Sequence, residues 1–458
     1  MTVIANATIP FGKNDETRDV HIVMEGEAIR EVLPAEARLP KHEKVLDATG
    51  LLVLPGAIDP HVHFNTPGYT EHEDFTHGSR GAAAGGVTCV IDMPDTSVPP
   101  VIDRASLRSK LKVVEDMAVI DFGLWGGVSG ESFRLGTWRS NMRSLKHEGI
   151  TGIKCYLLSG MKTFPHLLPL ELIEVMRRAH DLGMVVALHA EDRERVQKLT
   201  ASLMTAGRRD AEAYYESRRD PAELDGIKLG ADMALETACK LHIVHVGSAA
   251  GAEYAMALKG TGLDLTMETC AHYLAFSHED FAEFGAVLKT SPVVKTREDS
   301  AKLWKHLAGG DIDFLASDHA PCTIEEKNTG SIWTDYAGIS GSELMFPFAF
   351  SEGYAKGRLT LERLVQVTSA AAAKRMGIFP RKGAIIAGTD ADLVFVDKKR
   401  TWKVKGAELQ SKGAFTPFEG REFTGKVVRT ICRGQTVYEE GKGIVATPGY
   451  GQFIRRNS

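Results

Sequence analysis

Short apolar runs alternate along this chain with longer stretches in which apolar residues recur at helical spacing. The runs are AIDPHVHF (57–64), VTCVIDMP (87–94), AVIDFGLWGG (118–127), ITGIKCYL (150–157), VVALHAE (185–191), LHIVHVG (241–247), LTMETCAHYL (265–274) and IDFLASDHA (312–320). A helical pattern follows each of them, at 78–84, 103–114, 138–148, 170–182, 222–240, 248–259, 297–308 and 342–356. Strands that are apolar along most of their length belong to a parallel sheet covered on both faces, and helices between them make the crossovers. Eight strand–helix units predict an α/β protein built as a TIM (β/α)8 barrel. A doubly wound sheet would carry a glycine-rich phosphate turn after its first strand, and no such turn follows residues 57–64.

The ends of the chain read differently. Residues 1–55 hold short strand-like runs (VHIVMEG, AIREVLP, KVLDATG, LLVLPG) broken by polar turns, and DADLVFVD, KVVRTICRG and QTVYEEG repeat that texture between 388 and 440. The expectation is a small composite β-sandwich formed from both termini, 1–55 plus 380–458, around a barrel at 56–379. The tail PGYGQFIRRNS reads as a solvated arm or, more sharply, as a segment packing on a neighbouring subunit.

Composition narrows the function classes. Of 458 residues, 43% are hydrophobic and 25% charged, an ordinary globular balance with ample material for a core. A net charge of −5 gives no basic surface for nucleic acid or an anionic membrane. No apolar stretch reaches the roughly eighteen residues of a membrane span, and the N-terminus lacks a signal-peptide core, so the expected location is the cytoplasm. The six cysteines form no CxxC pair and read as reduced.

Chemistry gathers at the strand ends. In DPHVHF, His61 and His63 stand two apart, so both side chains leave the strand on one side and can converge on one ion. Imidazole is the commonest neutral metal ligand. His189 and His245 close two further apolar runs, and Asp318 closes the eighth. Each lies where the chain leaves a barrel at its C-terminal face, the face on which TIM-barrel enzymes carry their sites. Lys154 ends an apolar run where a lysine is out of place unless it is paired. It reads as a Schiff-base nucleophile, an ion-pair partner, or a lysine carbamylated by CO₂ (N6-carboxylysine) that bridges two ions. The last makes best use of the neighbours, since four neutral histidines leave two divalent ions, zinc first among them, short of negative charge. Asn65, Asp95, Ser159, His272, Ser291 and His319 follow strand ends as candidate substrate contacts, and Glu191 and Glu268 as partners that fix imidazole tautomers.

With these residues in hand the chain resembles the cyclic amidohydrolases: allantoinase, hydantoinase, dihydropyrimidinase and dihydroorotase. The resemblance runs over nearly the whole chain, through LPGAIDPHVHFNTPG, GSRGAAAGGVTCVIDMP, GIKCYL, LHAED, IVHVGS, ETCAHYL, FLASDHAPC and KGAIIAGTDADLVFVD. It implies a TIM barrel with a composite β-sandwich, a homo-oligomer (dimer or tetramer), two divalent ions and a carbamylated lysine. His61, His63 and Asp318 would hold one ion, His189 and His245 the other, and Lys154 would bridge them, with Asp318 as catalytic base. The implied reaction opens the ring amide C–N bond of a small cyclic amide or ureide. HVHFN and GYGQFI look most like allantoinase and hydantoinase. The chain departs from the subgroups at single positions: Asn65 replaces the dihydroorotase arginine, Asp95 its asparagine, Ser159 the hydantoinase tyrosine, and Thr66 the allantoinase glutamate. Dihydroorotase is the second reading; a metal-free scaffold homologue and a single-metal deaminase are readings of other classes.

Overall fold

The computed structural model describes residues 1–457. Eight parallel strands line up as expected: β1 (Ala57–Val62), β2 (Val87–Asp92), β3 (Asp121–Leu124, continued by Gly126–Gly127), β4 (Ile153–Tyr156), β5 (Val185–His189), β6 (Lys240–Ile243), β7 (Leu265–Cys270) and β8 (Phe314–Ala316). Each pairs in parallel with the next from β1 to β8. The ring closes where Val62 bridges His319 and the His63 N–H donates to the His319 carbonyl at 2.8 Å.

The two-residue period of the strands divides the core in two. Ile58, Ile91, Trp125, Ala187 and Phe314 fill the barrel in one packed cluster. The alternate residues Val90, Leu124, Ile153, Leu188 and Ile243 pack in another cluster with helix residues such as Leu107, Met142, Leu172 and Ile227. The helices start where a short polar side chain satisfies an otherwise free N–H. Asp74 accepts from His77, while Asp103–Ser106 and Thr296–Asp299 form reciprocal capping boxes. The eighth crossover helix departs from the 342–356 expectation: Ser342–Phe348 is α-helical, and Ala349–Ala355 winds more widely after Pro347, which has no N–H to give.

Both ends of the chain enter one nine-stranded sheet. Leu393–Lys403 pairs antiparallel with Leu52–Pro55 on one side and with Glu422–Cys432 on the other, over a core of Ile4, Ile22, Val53, Leu393, Phe395 and Ile431. A buried ion cluster ties this sheet to the amino end of β3. Lys382 Nζ reaches Asp121 (2.5 Å), Asp392 (2.7 Å) and Asp390 (2.9 Å), and Arg433 Nε reaches Asp121 at 3.0 Å.

The tail corrects the expectation of a solvated arm, because it packs on its own barrel. Ile454 N donates to Phe122 O, Arg456 N to Gly149 O and Asn457 N to Gly377 O, and Ile454 is buried in the barrel cluster. Glycine and arginine are as suited to a packed strap as to a free arm, so composition alone could not separate the two. All six cysteines are free and buried. Among the described residues, no helix is long and apolar enough to cross a membrane.

Candidate metal centre

The carboxyl ends of the barrel strands surround a cavity of about 640 Å³ lined by His61, His63, His189, His245 and Asp318 among others. His61 lies in β1 with His63 just beyond it, and their ring centroids are 5.3 Å apart. His189 ends β5; His245 and Asp318 lie just past β6 and β8. His245 (φ 42°) and Asp318 (φ 49°) hold left-handed backbone. That conformation costs a residue with a Cβ on the order of 1 kcal/mol, a strain that concentrates at functional sites.

Carboxylates set the tautomers. His61 Nδ1 donates to Glu268 Oε1 at 2.5 Å, and the other Glu268 oxygen accepts from His242 Nε2 at 3.1 Å. The lone pair of His61 is therefore on Nε2, which has no hydrogen-bond partner and lies 3.2 Å from Asp318 Oδ1. His63 Nε2 is 3.3 Å from the same oxygen, with Nδ1 3.6 Å from Asp95. His189 Nε2 donates to Glu191 Oε2 at 2.9 Å, leaving its Nδ1 lone pair 3.0 Å from His245 Nε2. Lys154, on β4, is wholly buried, and its Nζ has no hydrogen-bond partner.

Burial pushes His61 down to about 4, with the Lys154 charge acting the same way, and it carries His245 well below the usual imidazole range. Burial also lowers Lys154, against Asp95, Asp318 and Glu268. Burial works against ionised Asp318, but His61, His63 and His245 outweigh it and hold this carboxyl well below the usual range. At neutral pH His61 and His245 are thus neutral imidazoles facing a carboxylate, the protonation state a divalent cation needs, while at His63 burial is outweighed by Asp95 and Asp318, which raise it.

These residues fit such a cation. Two ligands on one tetrahedral zinc at ~2.0–2.1 Å sit roughly 3.3 Å apart. The 3.2 and 3.3 Å separations around Asp318 Oδ1 and the 3.0 Å of the histidine pair are close to that edge. The orphaned His61 Nε2 and Lys154 Nζ are buried polar atoms that the protein itself leaves unsatisfied. Asp121, Asp390 and Asp392 also cluster, but Lys382 already pairs with all three and Arg433 with Asp121.

Of the six candidate substrate contacts, Asp95, Ser159 and Ser291 line the cavity. The Ser159 hydroxyl is spent within its own turn, donating to Phe164 O and accepting from Met161 N. Ser291 Oγ donates to Glu191 at 3.0 Å and accepts from Arg218 at 3.0 Å. Asn65, His272 and His319 are not part of the lining. His319 pins the following turn, with Nε2 on Glu73 and Nδ1 accepting from Gly341 and Ser342. His272 is buried, which pushes it down to about 4. The amide of Asn65 is buried without a partner.

Sequence reasoning passed over Tyr156, Arg218, Lys289, Trp333 and Tyr336, which also line the cavity. Tyr156 was within reach, since it stands two residues after Lys154 on the same strand. The others lie outside the barrel strands, where no periodicity tells which way a side chain points.

Residues 52–437 match the amidohydrolase family. An allantoinase of Rubrobacter xylanophilus is 40% identical over 90% of this chain and 88% of its own length, and an allantoinase of Solibacter usitatus is 37% identical over 91% and 90%. The structure of an L-hydantoinase (dihydropyrimidinase) from Arthrobacter aurescens superposes with a TM-score of 0.94 at 30% identity, covering 99% of each chain. The chain belongs to the amidohydrolase family, among its members that hydrolyse cyclic amides.

Proposed function

We propose that this enzyme is a binuclear metal hydrolase that opens the ring amide of a cyclic ureide, allantoin first and a hydantoin or dihydropyrimidine next. The observation that carries the reading is the buried pair of unsatisfied atoms, His61 Nε2 and Lys154 Nζ, beside two sets of facing ligand atoms at one barrel rim. The allantoinases that this chain resembles over most of their length support the choice of ring.

In this reading His61, His63 and Asp318 would hold one divalent ion, zinc first, His189 and His245 would hold the second, and Lys154 as its carbamate would serve both. Bound there, the ions supply Lewis-acid activation of water and of the scissile carbonyl. Glu268 and Glu191 keep His61 Nδ1 and His189 Nε2 protonated, so the opposite nitrogens stay free to bind. Asp318, ionised against its histidines, accepts a proton from the attacking water and returns it to the leaving ring nitrogen. Tyr156 and Tyr336 wall the cavity beside these residues. The products are a carboxylate and a ureido or amide group on one open chain. The reading includes a homo-oligomer, dimer or tetramer, which light scattering would check.

The deciding experiment is a panel of allantoin, hydantoins, dihydrouracil and dihydroorotate with metal content measured on the same sample. Two ions per chain and highest kcat/KM on allantoin or a hydantoin are expected. One ion per chain, or no ring opened, would overturn the reading.

A further inference from the structure

Two side-chain cations line the cavity among the described residues, Arg218 and Lys289, and they differ in what they already hold. The charge of Arg218 is already paired: its NH1 bridges Glu191 Oε2 at 2.9 Å and Ser291 Oγ at 3.0 Å, while its Nε has no hydrogen-bond partner. Lys289, 3% exposed, gives one hydrogen bond to the Asp335 backbone carbonyl, and its Nζ lies 4.7 Å from the centre of the Tyr214 ring. The Asp335 carboxylate does not pair with it and accepts from Thr329 N and Oγ1 instead. An ammonium has three donors, so Lys289 keeps hydrogen-bonding capacity that no carboxylate of the wall consumes.

The wall around it is tied together by hydrogen bonds. Gly338 N donates to Lys289 O at 2.9 Å, and Lys327 Nζ caps the carbonyls of Tyr336 (3.0 Å) and Gly338 (2.6 Å). The Tyr214 hydroxyl donates to Thr290 O at 3.2 Å, and its ring carries Arg218 at 4.8 Å as well as Lys289. Burial, aided by the Arg218 and Lys327 charges, lowers Lys289 to about 7, so it shifts between amine and ammonium near neutral pH, and an acceptor oxygen brought to Nζ favours the ammonium.

We propose that Lys289 is a specificity-determining residue, donating to an acceptor oxygen on the ring substituent of the substrate: a ureido carbonyl first, a carboxylate next. The inference rests on the proposed opening of cyclic ureides. With the ring amide at the histidines and Asp318, a substituent on the ring can extend along the same cavity to the wall formed by Tyr214, Lys289 and Asp335.

The test compares zinc-loaded wild type, Lys289→Gln and Lys289→Met on allantoin, hydantoin-5-acetic acid and 5-methylhydantoin. Glutamine retains a donor for the Asp335 carbonyl, and melting curves report whether the wall still folds. Loss of a charge-assisted hydrogen bond predicts that kcat/KM on the first two rings falls about tenfold or more relative to 5-methylhydantoin, chiefly through KM. An equal loss on all three rings would mean that Lys289 only holds the Asp335 segment, and no loss on any would remove it from recognition; either overturns the proposal. Calorimetric binding of hydantoin-5-acetic acid separates this inference from the functional reading. Binding that depends on Lys289 without turnover would sustain it while the hydrolase reading fails; absence of binding to wild type would sink it.

Discussion

His189 Nδ1 and His245 Nε2 face each other at 3.0 Å, while the far nitrogen of His189 is committed to Glu191 and that of His245 has no partner. One shared proton can hold two imidazoles this way; one shared cation does so with both rings neutral, which is how burial keeps His245. We expect His245→Ala to lower bound zinc from two ions per chain toward one, by elemental analysis of dialysed protein. Retention of two ions would remove this pair from the centre.

Lys154 presents the opposite situation, a buried donor with nothing to donate to. Lys154→Ala is expected to abolish activity and lower metal content together. Small carboxylic acids should restore part of the rate, and wild type reconstituted in bicarbonate should load more metal than in CO₂-depleted buffer. Full activity in the unrescued variant would falsify the bridging role.

Asp318→Asn retains the size of the side chain but cannot take a proton from water. The expected loss in kcat is on the order of 10²-fold or more, with part of the metal retained. A variant with near wild-type kcat would assign the base elsewhere.

Glu343 gives a pH signature away from the site. Burial pushes its carboxyl up to about 8 from 4.5, although the Gln410 N–H and Lys426 favour the anion. The native state thus keeps a proton that the unfolded chain releases above about pH 4.5, and stability must fall as pH rises from there to about 8. Glu343→Gln removes that dependence and should still accept from Gln410 N. The variant is expected to gain on wild type as pH rises from 5 to 9, by about 1–2 kcal/mol at pH 9 in denaturant titrations. Parallel pH profiles would show that Glu343 is ionised in the native state.

Much of this architecture was legible because a parallel barrel strand is apolar until it ends, so the first polar residue after the run marks the open face. His189 and Asp318 stand out for that reason, and the same run length located all eight strands. The interruption of β3 at Trp125 was not legible: its indole Nε1 donates to Pro60 O, a contact 65 residues away in sequence. Arg218 and Lys289 were missed on the same ground, since their partners Glu191 and Asp335 come from other segments. Asn65 and His319 followed strand ends as the rule requires, yet do not line the cavity; the rule gives the rim, not the side-chain direction.

The choice of ring can be argued from charge. Dihydroorotate carries a carboxylate, best held by the flat two-donor fork of an arginine. Asn65, at the position where dihydroorotases show that arginine, does not line the cavity, and Arg218 spends its NH1 on Glu191 and Ser291. Three other cations are no substitute. Lys295 donates to Arg218 O and pairs with Glu223, Arg297 is exposed beside Glu279 and Asp280, and Arg80 is not part of the lining. Among the described lining residues Lys289 is the cation with no carboxylate bonded to it, a point donor with the carboxylates of Asp95 and Asp335 on the same cavity. That arrangement suits one neutral carbonyl oxygen, as in the ureido group of allantoin, better than a full anion that must leave water and face two like charges. Replacing a paired charge contact by a neutral one is worth roughly 1–2 kcal/mol, enough for a tenfold preference. We therefore expect kcat/KM on allantoin to exceed that on dihydroorotate by tenfold or more in side-by-side assays. Dihydroorotate as the better substrate would reverse the ring assignment while leaving the metal centre as described.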